Sequence, residues 1–279
     1  MGVKDARKVG RHVSASGGIS SSFTNALEVG CSTMQIFLSS PRMWKINEIT
    51  PEQSALFLSS SSESGVSPVF VHMPYLPNLA SPKDYIYSRS VETLAKTAEM
   101  CDALSIGYLV AHLGSHLGEG KSKGIRNVVE AVSSALEKID KVHILLEDQA
   151  GQTNTVGAEL EDIAQIYDEI SSKKVGVCLD TCHLFAAGYD IREHGVLDDI
   201  DGAIGFGKVE CIHLNDAQLE LGSHRDRHEN IGLGKIGVEG VRSFLSYKRL
   251  QGIPLVMETP QTSANGEAKE IRLVRSLIK

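Results

Sequence analysis

The residues of this chain best equipped for chemistry are six histidines and carboxylates, each near the end of a short apolar run. They are His72 in PVFVHM, His112 in YLVAHL, Glu147 in HILLED, Asp180 in VGVCLD, His213 in VECIHL and Glu258 in PLVMET. They recur at intervals of 33 to 45 residues. Imidazole nitrogens and carboxylate oxygens are ligands that zinc takes readily, and manganese and iron accept similar sets. An Asp beyond a single strand is ordinary helix-cap material; six such groups at the same end of six runs are not. Three more ligand-type residues follow the same runs. His183 lies three positions after Asp180, and Asp226 and His228 alternate around Arg227 in HRDRHENIGLGKIG. Nine candidate ligands exceed the need of one ion and imply two or three ions sharing bridging carboxylates.

Such residues cooperate only if the chain brings the run ends together. Two further runs, KVGRHV (8–13) and TMQIFL (33–38), make eight in all. Between them lie stretches with apolar residues spaced three and four apart, as in 83–104 and 122–139, the signature of amphipathic helices. Ser20 and Pro51 mark helix starts, and 157–171, 196–205, 238–250 and 265–278 supply further helices. Apolar runs alternating with helices imply a parallel sheet, and eight such units in 279 residues predict an α/β fold of TIM type, a single (β/α)8 barrel domain over 1–279. In that fold every strand's C-terminal end opens on one mouth, so the ligands meet there. The Ser-rich stretch 59–65 reads as a helix end and turn, and GLGKIG (232–237) as a turn, because it does not follow a strand as a phosphate loop does.

Composition narrows the function. No apolar run reaches the length of a membrane span, and no secretory signal follows the basic N-terminal residues. Five scattered cysteines suit a reducing compartment, so a cytoplasmic protein without a membrane partner is expected. The net charge of −7 argues against a chain-wide affinity for nucleic acid but leaves room for a local positive site made by bound metal.

Several motifs together resemble the endonuclease IV-type apurinic/apyrimidinic endonucleases: HVSASGG (12–18), DTCHLFAAGYD (180–190), HLNDAQ (213–218), GSHRDRHENIGLG (222–234) and GIPLVMETP (252–260). The resemblance spans nearly the whole chain. It implies a TIM barrel with a trinuclear zinc cluster, manganese being an alternative occupant, that hydrolyses the phosphodiester 5′ to an abasic site in duplex DNA. It also implies 3′-end cleaning and a monomer. On this resemblance His72 and His112 hold one zinc with Glu147, which bridges to a second completed by Asp180, His213 and Glu258. His183, Asp226 and His228 hold the third. Glu147 and Glu258 are the expected catalytic carboxylates, orienting the attacking group. Arg42 enters the minor groove, and Tyr75 and Leu76 wedge into the bent duplex.

Three departures stand out. Arg11 precedes His12 where a small residue is usual, Pro74 precedes Tyr75, and Asp148-Gln149 replaces Asn-Thr after Glu147. His12, His116 and Gln149 either line the pocket or serve structural hydrogen bonds. The main rival reading is a single-metal sugar isomerase or epimerase, which Glu147, Asp180, His213 and Glu258 alone would suit; the other five ligands have no place in it. A non-catalytic DNA-binding module is the second rival.

Overall fold

A computed structural model describes residues 7–278. Eight parallel strands close into a barrel: β1 (Val9–His12), β2 (Thr33–Ile36), β3 (Val69–His72), β4 (Tyr108–His112), β5 (His143–Glu147), β6 (Val175–Asp180), β7 (Val209–His213) and, after a small hairpin, β10 (Leu255–Met257), which pairs with both β7 and β1. The hairpin strands are β8 (Asp216–Ala217) and β9 (His228–Glu229). The helices are α1 (Ser21–Glu28), α2 (Pro51–Ser64), α3 (Asp84–Ala103), α4 (Lys121–Leu136), α5 (Leu160–Ile170), α6 (Thr181–Ala187), α7 (His194–Ala203), α8 (Gly237–Ser246) and α9 (Ala264–Leu277). The predicted TIM barrel is the fold. Among the described residues no helix is long and apolar enough to cross a membrane.

Local sequence accounts for most elements. Pro51 opens α2 behind Thr50, whose side chain accepts from the Gln53 amide while the Gln53 side chain accepts from the Thr50 N–H, satisfying two otherwise orphaned donors. The Ser-rich stretch forms the end of α2 and stops at Gly65, whose φ of 68° suits glycine. In α4 the apolar stripe Ile125, Val128, Val132 and Leu136 is buried against the sheet. The predicted helix 238–250 ends at Ser246, followed by a separate 3₁₀ turn. Three elements escaped the periodicity: α6, which is buried nearly all round and therefore lacks a polar stripe, and the two-residue strands β8 and β9.

Strand period positions the site. Phe70, Val110, Leu145, Cys178, Cys211 and Val256 form one buried layer inside the barrel. Alternate residues of a strand share a face, so the residue two positions on from each returns to the interior one layer nearer the mouth. Those residues are His72, His112, Glu147, Asp180, His213 and Glu258. The same step from Gly10 and Thr33 gives His12 and Gln35, completing a ring with one polar side chain per strand. Gly10 is required by close packing: a Cβ there would lie 1.7 Å from the Thr33 carbonyl oxygen. The apolar layer plugs the barrel beneath the ring, each large side chain contributing about 1.5–3 kcal/mol on burial, so the polar ring opens only toward the loops.

Candidate metal centre

Strand register sets the neighbours in the ring. His112 pairs with Glu147 across β4–β5, and Asp180 with His213 across β6–β7, where a register shift at Val177/Cys178 precedes Asp180. Glu147 is fully buried at the centre. One of its oxygens lies 2.9 Å from Nε2 of both His72 and His112, and the other 2.8 Å from Nδ1 of His213. His213 Nδ1 is also 3.3 Å from Glu258 and 3.8 Å from Asp180. Across the mouth, Asp226 stands 3.4 Å from His183 Nε2 and 3.1 Å from His228 Nε2, and His228 Nε2 is 3.5 Å from Asp180. All nine candidate ligands therefore face one bowl.

Asp180 serves two purposes. Its Oδ1 accepts from the Cys182 and His183 amides, capping α6 and fixing where His183 points. Its Oδ2 accepts from the Asn215 amide and faces His213 and His228. The modest helix-cap reading and the ligand reading apply to different oxygens of one side chain. Asp226 and His228 arrive through the β8–β9 hairpin. Asp216, at the start of that hairpin, accepts from the backbone amides of Gly232, Gly234, Ile236 and Gly237, so GLGKIG is a turn wrapped on a carboxylate. A Cβ at Gly234 would lie 2.4 Å from the Ala217 carbonyl oxygen, so only glycine fits there.

Four of the histidines have their outward nitrogen committed. His72 Nδ1 faces the Met73 carbonyl at 2.7 Å, His183 Nδ1 that of Asp148 at 2.9 Å, His228 Nδ1 that of Glu258 at 3.2 Å, and His213 Nε2 the Gln35 amide oxygen at 2.9 Å. With an oxygen acceptor as its partner each outward nitrogen donates a proton, so the inward nitrogen can offer its lone pair once a metal ion displaces its proton, the arrangement found around bound metals. His228 Nε2 is buried without a hydrogen-bond partner of its own. His72–His112–Glu147 and His183–Asp226–His228 each hold ligand atoms close enough together to share an ion. The donor set and the orphaned nitrogen fit divalent metal.

The electrostatics point the same way. Burial alone would push Glu147 upward, but His112, His213 and His72 outweigh it and hold the carboxyl well below its usual range. Burial likewise opposes ionisation of Asp226, yet the His183 and His228 rings facing it keep it ionised. For His228 burial favours the neutral ring, but Asp180 and Asp226 raise it to about 9. Without metal, imidazolium rings are the cations available to these carboxylates.

Sequence reasoning missed Gln35 and Asn215. The Gln35 amide donates to Glu258 at 2.6 Å and accepts from His213; Asn215 donates to Asp180 and accepts from the Glu258 N–H. The available signal was a fully buried amide at a ring position of TMQIFL and another shortly after His213. Of the three uncertain liners, His12 joins the ring, 3.7 Å from Glu258, whereas His116 accepts from the Gly118 and Gly120 amides and Gln149 bonds neighbouring carbonyls. Cys178 and Cys211 sit side by side below His213, and burial pushes the Cys178 thiol up, consistent with packing rather than ligation.

Of the departures, Asp148 is the most informative. It is buried, its Oδ1 accepts from the Asp180 N–H at 2.6 Å, and its Oδ2 has no partner. Burial, reinforced by Asp180 and Glu147 against the pull of His183, raises it well above the carboxylate range, which favours the neutral form, an acceptor shaped like Asn. A raised carboxyl costs the native state stability above its unfolded value near ~4, and the cost fades below that pH. Asp148→Asn should therefore keep incision activity within a few-fold. It should also raise the melting temperature of the metal-free protein at pH 7, with the difference shrinking toward pH 4. An unchanged or lower melting temperature at pH 7 would contradict a neutral Asp148.

Arg42 is exposed in the loop after β2, and Tyr75 and Leu76, 57% and 40% exposed, follow β3. The Tyr75 N–H donates to the Pro41 carbonyl at 3.0 Å, tying the two loops together, and the Tyr75 ring lies 6.3 Å from that of His112. Tyr75 thus stands at the edge of the bowl, with the loop that carries Arg42 tied beside it.

A closed parallel barrel with a mixed histidine–carboxylate bowl at its mouth defines the class, and a family model described as xylose isomerase-like TIM barrel matches residues 23–277. A protein of Methanoculleus marisnigri named "Probable endonuclease 4" is 44% identical over 276 residues, 96% of this chain and 98% of that one. The crystal structure of endonuclease IV from Thermus thermophilus superposes with a TM-score of 0.87 at 32% identity, covering 97% of this chain and 98% of that one. A D-tagatose 3-epimerase-like protein shares the fold at 20% identity, with a TM-score of 0.74 over 96% of this chain and 97% of that one. The chain belongs to the endonuclease IV family.

Proposed function

We propose that the chain hydrolyses the phosphodiester 5′ to an abasic site in duplex DNA, leaving a 3′-hydroxyl and a 5′-deoxyribose phosphate, and that it trims blocked 3′ ends. Its centre would hold three zinc ions, with manganese an alternative in some positions. His72, His112 and Glu147 would hold the first, Asp180, His213 and Glu258 together with Glu147 the second, and His183, Asp226 and His228 the third. The observation carrying this reading is the His183–Asp226–His228 group facing Glu147 and Asp180 across the bowl, for which a one-metal sugar epimerase of the same fold has no use. Closely spaced divalent ions make a nucleophile available at neutral pH and neutralise charge on the entering and leaving oxygens.

The chain's own residues orient and exclude. Glu147, buried and held ionised, and Glu258, bonded to Gln35, accept hydrogen bonds from the attacking water and aim it at phosphorus. Gln35, Asn215 and the backbone carbonyls keep the ligand side chains from rotating. Arg42 enters the minor groove, while Tyr75 and Leu76 wedge between base steps and hold the duplex bent. The barrel is the chain's one domain and acts as a cytoplasmic monomer. Three divalent ions bring the formal charge from −7 close to zero and concentrate positive charge where the DNA backbone approaches.

The deciding experiment uses a duplex carrying one tetrahydrofuran abasic analogue, which cannot undergo β-elimination. Incision on its 5′ side with a 3′-hydroxyl product is expected; an intact duplex with metal-replete protein would refute the reading and leave the epimerase in its place. Arg42→Ala should raise the Kd for this duplex about tenfold and reduce the slope of log K against log salt by about one, with kcat little changed. Unchanged affinity would remove Arg42 from the DNA interface.

A further inference from the structure

We propose that Glu270, on the outer helix α9, and Arg11, on β1, form a clamp that positions His228 and Glu258 together and so favours the two metal ions these residues would hold over the one held by His72 and His112. The proposal rests on the multi-ion reading above.

Neither residue touches the bowl. Glu270 is 8% exposed and Arg11 1% exposed. One oxygen of Glu270 accepts from the Ile231 N–H at 2.8 Å and from the Asn230 amide at 3.3 Å, gripping the segment just after His228. Its other oxygen accepts from the Thr259 hydroxyl at 2.8 Å, gripping the residue just after Glu258. A single carboxylate thus joins the two segments carrying these ligands, and Asn230 donates to the Pro260 carbonyl between them. The His228 ring closes the loop by facing the Glu258 carbonyl oxygen.

Arg11 makes the buried carboxylate tolerable and extends the grip. Its guanidinium lies 3.7 Å from Glu270 and 3.4 Å from Glu267, and it donates to the Thr259 carbonyl at 3.3 Å. A buried carboxylate without such a partner is strongly destabilising. The departure at position 11 therefore has a structural consequence: a cation beside the strand end that carries Glu258. His72 and His112 come from β3 and β4 and make no hydrogen bond to this network among the described residues. Loosening the clamp should consequently affect one side of the bowl.

The test is zinc binding, read by metal analysis and chelator competition, with thermal melting of the metal-free protein alongside. Wild-type protein is measured first; binding of no more than one ion overturns both the multi-ion reading and the clamp. With three ions in the wild type, Glu270→Ala is expected to weaken the two ions that His228 and Glu258 hold at least tenfold, leave the ion held by His72 and His112 unchanged, and melt cooperatively without metal. His183→Ala, which deletes a ligand outside the clamp, should weaken only the ion it holds with Asp226 and His228, and adding Glu270→Ala should weaken the Glu258 ion as well. Wild-type affinity for all three ions, or equal weakening of all three in step with a lower melting temperature, overturns the clamp while leaving the multi-ion reading intact. Should Glu270→Ala fail to fold, Glu270→Gln serves: its amide oxygen can still accept from Ile231 but loses the pairing with Arg11. The same selective weakening at smaller size supports the clamp, and equal affinity for all ions refutes it.

Discussion

Glu258→Gln is expected to lower the single-turnover rate on an abasic-analogue duplex about a thousandfold, equivalent to about 4 kcal/mol of lost transition-state stabilisation, while Kd for the duplex stays within a few-fold. Glu258 is the ring carboxylate with the most room beside it, 13% exposed at its side chain and lining the small cavity that also contains Tyr75, His112, His183, Asp226 and His228. Burial disfavours its charge, yet His213, His12 and His72 hold it ionised below the usual range. Glutamine keeps the shape and can still accept the Gln35 hydrogen bond, so the fold should survive. What disappears is the negative charge that, in the proposed function, orients the attacking water and would help hold the second ion. A parallel loss of duplex affinity, or near-normal turnover, would remove Glu258 from the chemistry.

Removing metal should have the larger effect. Exhaustive chelation is expected to leave no detectable incision, and zinc should restore it. The accompanying stability change has a pH signature with opposite slopes for the two forms. In metal-free protein His228 is raised to about 9, so its contribution is present in full below the unfolded value near 6.5 and is lost as pH rises through 9. The shift is worth on the order of 3 kcal/mol. Despite burial, His183 is raised by Asp180 and Asp226, and His213 by Cys178, Glu258 and Glu147, and both act in the same direction. Glu147 and Asp226 are depressed, so their contribution holds above the unfolded carboxylate range and is lost only in acid. The metal-free protein should therefore melt at falling temperatures between pH 6.5 and 9. The zinc-loaded protein should hold or gain over that range, because metal competes with protons for the same nitrogens. Melting curves at pH 6, 7.5 and 9 with chelator or with zinc make the comparison, and parallel pH dependence in the two forms would contradict a metal-filled bowl.

Much of this arrangement is local and therefore readable without coordinates. Eight apolar runs at βα-unit spacing imply the barrel, and the two-residue strand period turns each run-ending His, Asp or Glu onto the interior face above Phe70, Val110, Leu145, Cys178, Cys211 and Val256. The start of α2 at Pro51 follows from capping chemistry that acts within a few residues. That level of information also singled out six of the eight ring side chains, left His12 open between lining the pocket and a structural hydrogen bond, and passed over Gln35, whose amide stood unremarked in an apolar run.

Tertiary structure decided the rest, because it depends on pairings between distant parts of the chain. Ladder hydrogen bonds set the registers that put His112 beside Glu147 and Asp180 beside His213, and no single strand encodes its neighbour's offset. The β8–β9 hairpin returns Asp226 and His228 to the mouth only because the Asp216 carboxylate collects amides from 16 to 21 residues away. The two oxygens of Asp180 divide between capping α6 and facing the bowl only once β6, α6 and Asn215 are packed together. Glu270 reaches Ile231 and Thr259 from a helix on the outside of the barrel. Side-chain type and periodicity are properties of a few consecutive residues; register, loop return and buried hydrogen-bond partners are properties of the closed barrel.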